Sequence, residues 1–153
     1  MILGIRCSNS DYSFALLKGS KGCPEVANVK SASYPKGYSR PEILRWLYQE
    51  IEDYSSKNIG IETFLVKGAE PMAQKGGAYT ERVECEAIMF LVAAQHGLTA
   101  NRKVKQTIAK DLGLAGRAKA LEENLDTSVI TDFENYSTKE AEAILVAWSG
   151  LKL

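Results

Sequence analysis

Arg6 ends an apolar, β-branched run, Met1 to Ile5, at the point where the chain turns polar through Cys7-Ser8-Asn9-Ser10-Asp11. A long cation at the edge of a buried strand either serves a partner or fills a gap, because a charge there needs a counter-charge. Lys139 and Glu142 stand three residues apart in a segment of helical spacing, which puts both side chains on one helix face. Glu62 lies inside a run rich in strand formers. The densest charge is Arg102, Lys103, Lys105, Lys110, Arg117 and Lys119, six cations within eighteen residues against Asp111 alone. Lys67 and Lys75 flank a glycine-rich stretch with Gly68, Gly76 and Gly77. Cations grouped in this way suit a phosphate backbone. Glu81 and Glu84 fall near the start of a long helix, where the dipole favours acids.

Composition limits where such chemistry can act. The chain has 153 residues, 45% hydrophobic and 25% charged, which suits one globular domain over 1–153 with a core that needs no staple. Nineteen basic and nineteen acidic residues cancel, so no overall field draws the molecule to nucleic acid or membrane, and binding must come from a local patch. Cys7, Cys23 and Cys85 are odd in number and widely spaced, with only His96 as a soft companion. That pattern argues against a disulfide framework and a zinc site and predicts reduced thiols in a cytoplasmic protein. No charged leader precedes an apolar stretch and no run of about 18 apolar residues occurs, so no membrane association is expected.

The elements that must position these residues follow from periodicity. Residues 1–6, 12–18 and 24–32 read as a three-strand antiparallel meander, with a turn at Lys18-Gly19-Ser20-Lys21-Gly22. Ser39 before Pro41-Glu42 starts a helix whose Ile43, Leu47, Ile51 and Tyr54 repeat up to Lys57. Ile59 to Val66 predicts a fourth strand, parallel to its neighbour because a helix intervenes. A helix follows from Tyr79 to His96, stopped by Gly97, then a short strand at 98–101, helical pieces at 102–112 and 116–125, and a closing helix from Thr138 to Gly150. Trp46 and Trp148 share faces with Leu47, Tyr48, Leu145 and Leu151 and are expected in the core.

This order resembles the ribonuclease H-like fold, and within it the RuvC Holliday-junction resolvase family. ILGIRCS is similar to the family's first strand, and IGIETFLVKG to its fourth strand and following loop. Arg102-Lys103-Val104-Lys105-Gln106-Thr107 resembles the basic segment after its fifth strand, and the run from Lys139 to Ala147 its final helix. The resemblance implies an α/β, ribonuclease H-like chain: a mixed five-stranded sheet, with a three-strand antiparallel meander plus parallel strands, flanked by helices. Members of that family hold two divalent cations with four carboxylates. Carried over, those positions fall on Arg6, Glu62, Lys139 and Glu142, so two of the four are cations.

Arg6 and Lys139 with Glu62 and Glu142 sum to zero without metal. Pairs of Arg6 with Glu62 and of Lys139 with Glu142 are therefore expected to stand in for the metals, with no metal ligand and no cofactor. The basic cluster makes Arg102, Lys103, Lys105, Lys110 and Arg117 expected nucleic-acid contacts, and the resemblance implies the same for Lys105 and for Lys67 and Lys75. The all-round apolar helix around Val83 to Ala94, matched to the family's dimer helix, is expected to form a homodimer. The alternative is a divergent Mg- or Mn-dependent endonuclease for branched DNA or a DNA–RNA hybrid. It would need Asp11, Glu140, Glu81, Glu84 or Glu86 to replace the missing ligands.

Overall fold

The computed structural model describes residues 1–114, 116 and 121–153. Five strands form one sheet: β1 (Ile2–Cys7), β2 (Asp11–Ser20), β3 (Cys23–Ser33), β4 (Thr63–Lys67) and β5 (Thr99–Lys103), in the order β3-β2-β1-β4-β5. The meander pairs antiparallel, whereas β4 lies parallel to β1 and β5 parallel to β4. Helices α1 (Arg40–Lys57), α2 (Gly77–Gln95), α3 (Lys105–Asp111), α4 (Leu121–Asn124) and α5 (Thr138–Trp148) complete the chain. The mixed sheet expected from the sequence is thus present.

Alternation along β1 explains why both sheet faces are covered. Leu3, Ile5 and Cys7 turn to one face, where they meet Leu47 and Ile51 of α1 and Met89 and Val92 of α2. Ile2 turns to the other, where Ala143, Ile144 and Ala147 of α5 join Leu65, Ile108 and Leu121. Gly4 shares that second face, and a Cβ there would stand 2.1 Å from the Ala143 carbonyl oxygen and 2.8 Å from the Ala147 Cβ. The bare glycine lets α5 lie directly on the sheet.

Caps fix where the helices begin. The Ser39 N–H donates to Glu42 at 2.7 Å, opening α1 one residue before Pro41. At α5 the Ser137 N–H donates to Glu140 at 2.9 Å while Ser137 Oγ accepts from the Glu140 N–H at 3.3 Å. Glu140 is spent on that box.

Two expected boundaries move, and both matter to the site. The fourth strand begins at Thr63, not Ile59, so Glu62 precedes it. The fifth runs to Lys103, which takes Arg102 and Lys103 out of the expected helix and into the sheet.

Because the space over Gly4 is closed by backbone, Gly4→Ala is expected to lower unfolding free energy by about 1–3 kcal/mol through overpacking, read as a lower urea midpoint at unchanged slope.

Candidate functional site

The parallel register brings three cations to one edge. Ile5 pairs with Val66, and Val66 with Arg102. One residue further on, Arg6, Lys67 and Lys103 lie at the carboxyl ends of three neighbouring strands, the edge at which open α/β sheets bind ligands. All three turn toward the α5 side. Arg6 Nε donates to Glu142 Oε2 of α5 at 2.6 Å, and its guanidinium also donates to the Cys7 carbonyl. Lys67, whose side chain is only 6% exposed, donates to Glu70 at 2.6 Å and to the Gly68 carbonyl at 2.8 Å. Lys103 bridges Asp111 at 2.7 Å and Ser149 Oγ at 3.0 Å, at the far end of α5. From the first turn of α5, Lys139 Nζ reaches both carboxylate oxygens of Asp11 at 2.7 Å.

These contacts correct the expected pairing. Arg6 does not meet Glu62, and Lys139 does not meet Glu142; Arg6 takes Glu142 and Lys139 takes Asp11. Glu62 sits beside Met1, accepting from the N-terminal amine at 3.2 Å with its side chain exposed. That is the opposite end of β1 from Arg6, roughly 16 Å away at the rise of a strand. The residue of β4 beside Arg6 is Lys67. The strand-end constellation therefore comprises Arg6, Lys67 and Lys139 against Glu142, with Glu70 and Asp11 completing three positive and three negative charges.

Such a donor set does not fit two divalent cations. Among the described residues no group of three or more His, Cys, Asp or Glu is gathered in a way that could hold a metal ion. A dication placed here would meet fixed positive charge from Arg6, Lys67 and Lys139. Of the acids considered as substitutes, Glu84 holds Arg40 at 2.5 Å, Glu86 holds Arg82 and Arg102, and Glu140 caps α5, while Asp11 is at this edge but paired with Lys139.

Electrostatics within the site run one way. Burial works to raise the Asp11 carboxyl, but hydrogen bonds from Lys139 and Ser8 and the charges of Lys139 and Arg6 outweigh it and hold the group below the usual carboxylate range. Glu70 behaves alike: burial opposes, and Lys67 with the Lys105 N–H prevails.

The basic segment is divided by the sheet. Arg102 turns to the α2 side, where it donates to Glu86 at 2.7 Å and lies 5.2 Å from the Phe90 ring. Glu86 is buried and also holds Arg82 at 2.9 Å. Lys105 pairs with Glu122 at 3.1 Å, and Lys110 is exposed. Lys75 is exposed in the loop after β4, 6.0 Å from the Tyr79 ring. Arg117 and Lys119 lie outside the described residues. Phe64 is wholly buried, Trp148 donates its indole N–H to the Lys21 carbonyl at 2.9 Å, and His96 contacts Glu52 of α1.

Sequence reasoning missed Asp11, Glu70 and Glu86 as counter-ions. A signal for Asp11 existed in Ser8-x-x-Asp11, a polar turn in which Ser8 Oγ donates to the Asp11 carboxylate at 2.6 Å. Glu70 and Glu86 are marked by spacing as well, Lys67 three residues before Glu70 and Arg82 four residues before Glu86; only the Arg102 contact to Glu86 comes from another element.

No family model and no curated protein matches the sequence. Solved structures with a similar fold do exist. Thermus thermophilus RuvC in complex with Holliday junction substrate superposes at TM-score 0.76 with 8% identity over 97% of this chain and 90% of that one. A second T. thermophilus RuvC structure gives TM-score 0.74 at 11% identity over 97% and 91%. A fowlpox virus resolvase in complex with Holliday junction DNA gives 0.55 at 5% identity over 99% and 98%.

Since folding releases protons from Asp11 and Glu70, their contribution to stability is complete above the ordinary carboxylate range and is lost as pH falls through their lowered folded-state values. Stability should fall as pH drops below about 4, and Asp11→Asn with Glu70→Gln should flatten that fall. An acid limb identical in the double variant, measured by urea unfolding, would show that these carboxyls are not held low. At this level of identity the likeness establishes architecture: the chain has the ribonuclease H-like fold in the form seen in the RuvC resolvases.

Proposed function

We propose that the chain is a RuvC-like nucleic-acid-binding or regulatory protein that has lost two-metal nuclease activity. The observation that carries this reading is the occupation of the strand-end edge by Arg6, Lys67 and Lys139, each already neutralised by a single carboxylate. Metal ions would have to displace ion pairs that are partly out of water and leave three cations without their carboxylates. Two of the structural neighbours are complexes with Holliday junction DNA, which makes a branched duplex the first nucleic acid to test.

On this reading Lys75 and Lys110, both exposed, provide backbone contacts, with Arg102 and Lys105 adding to them from separate faces, while Lys67 and Lys103 shape the edge from within. Zero net charge makes the affinity modest and strongly salt-dependent. Helix α2 supports a homodimer: Ala87, Leu91 and Ala94 are exposed along one stripe, and Leu91 is 50% exposed. A second copy covering that stripe would bury it.

Titration calorimetry with Mn²⁺ is expected to show no binding, and a four-way junction is expected to be retained equally with and without EDTA and to remain uncut. Metal-dependent, EDTA-sensitive nicking would overturn this in favour of a divergent endonuclease. For the dimer, Leu91→Glu should shift the mass in solution to that of one chain; a wild-type chain that is already monomeric would remove the dimer from the proposal.

A further inference from the structure

Lys139, in the first turn of α5, differs from the strand-end cations in being open to an incoming ligand. Its side chain is 38% exposed, against 16% for Arg6 and 6% for Lys67. It borders a cavity of about 470 Å³ between the ends of β2 and β3 and the first turn of α5. The walls are hydroxyls: Ser13, Ser31, Ser33, Ser137 and Thr138, with Asp11 beside Lys139 and Ala32 the one apolar member. Ser13 and Ser31 share a hydrogen bond at 2.7 Å and Ser31 donates to Glu140 at 3.0 Å, which commits the protons of both and leaves Ser33, Ser137 and Thr138 as the hydroxyl donors for a ligand.

We propose that this cleft takes a phosphodiester group of a nucleic-acid backbone, and that Lys139 exchanges the Asp11 carboxylate for a phosphate oxygen as it binds. The inference rests on the nucleic-acid reading above and adds to it a site and a resident competitor. Hydroxyls with one ammonium are the groups that address phosphate and sugar, and no aromatic side chain lines the cleft for a base to stack on. The cleft therefore grips backbone without reading sequence. Asp11 occupies Lys139 as an anion would, with both oxygens at 2.7 Å and a further bond from Ser8. Exchange keeps Lys139 paired throughout, and the displaced carboxylate keeps its Ser8 hydrogen bond. The Asp11 side chain, 27% exposed, can turn to water without crossing the core.

The test is a double-mutant cycle on binding of a synthetic four-way DNA junction, with salt dependence as a second readout. Asp11→Asn releases Lys139 and is expected to tighten binding about fivefold, the size of one charge-assisted contact freed from a competitor. Lys139→Gln should weaken binding and lower the slope of log K against log salt by about 0.9, the signature of one lost phosphate contact. In Asp11→Asn/Lys139→Gln the gain from Asp11→Asn should vanish, because its only route is through the lysine. Lys139→Arg, which keeps the charge, should retain the wild-type slope, and it also separates a lost contact from a lost fold. If the Asp11→Asn gain persists without Lys139, the aspartate acts only through the general field and the exchange is overturned while the nucleic-acid reading stands. If neither the wild type nor Asp11→Asn retains junction DNA at low salt, both fail together.

Discussion

The ion pair between Arg6 and Glu142 is the contact on which the carboxyl edge of the sheet depends. It joins the carboxyl end of β1 to α5 on one face of the sheet, and it can form only because the helix lies close. Gly4, two residues before Arg6 on the same face, supplies that closeness: Ala143 and Ala147 sit where its side chain would be, and Glu142 is the residue before Ala143. A larger residue at position 4 would lift α5 and draw the carboxylate away from the guanidinium. Core packing and site electrostatics are therefore one constraint here. Removal of Glu142 would leave a cation of low exposure at a strand end, which is why the acid and the arginine have to be considered together.

The opposite face of the sheet organises the same edge by another route. Glu86, buried in α2, receives Arg82 and Arg102, and Arg82 continues to the Lys67 carbonyl at 2.6 Å. The aliphatic part of Arg102 lies over Gly68, whose missing side chain admits it, and the Gly68 N–H donates to the Lys103 carbonyl at 2.9 Å. The ends of β4 and β5 are thus clamped together before the chain leaves into the loop that carries Glu70 and Lys75. Charges on the two faces are arranged so that each strand-end cation meets an acid from a neighbouring element. That arrangement explains why a segment so basic in sequence does not present a continuous positive field.

Most of the fold was legible because it rests on signals local to each element: alternation in the meander, the 3.6-residue repeat of α1, the helix stop at Gly97. Partner choice was less legible. The apolar stretch 59–66 shows that a strand is present but not where its pairing begins, and Glu62 was placed inside the sheet when it lies before it. Only the parallel register, Ile5 against Val66, identifies Lys67 as the residue beside Arg6. The i,i+3 spacing of Lys139 and Glu142 gave a correct shared helix with the wrong pairing, because each found a stronger partner in the sheet: Asp11 at the start of β2 and Arg6 at the end of β1. Contacts between residues more than a hundred positions apart leave no trace in spacing.

The same physics explains how the architecture of the RuvC resolvases is matched at 8–11% identity with Arg6, Lys67 and Lys139 at this edge. The interior constrains alternation and volume, and at Gly4, Ala143 and Ala147 it constrains size; it does not constrain the sign of charges that project past the last core residue of each strand. What is constrained is neutrality. Lys67 is nearly as buried as the apolar residues before it, so a cation there is tolerable only with Glu70 and the Gly68 carbonyl in place. Arg6 is bound in the same way to Glu142, and Lys139 to Asp11. A set of paired cations that needs no metal to be neutral is one solution of that electrostatic requirement on this scaffold, and fold alone does not dictate the chemistry at its edge.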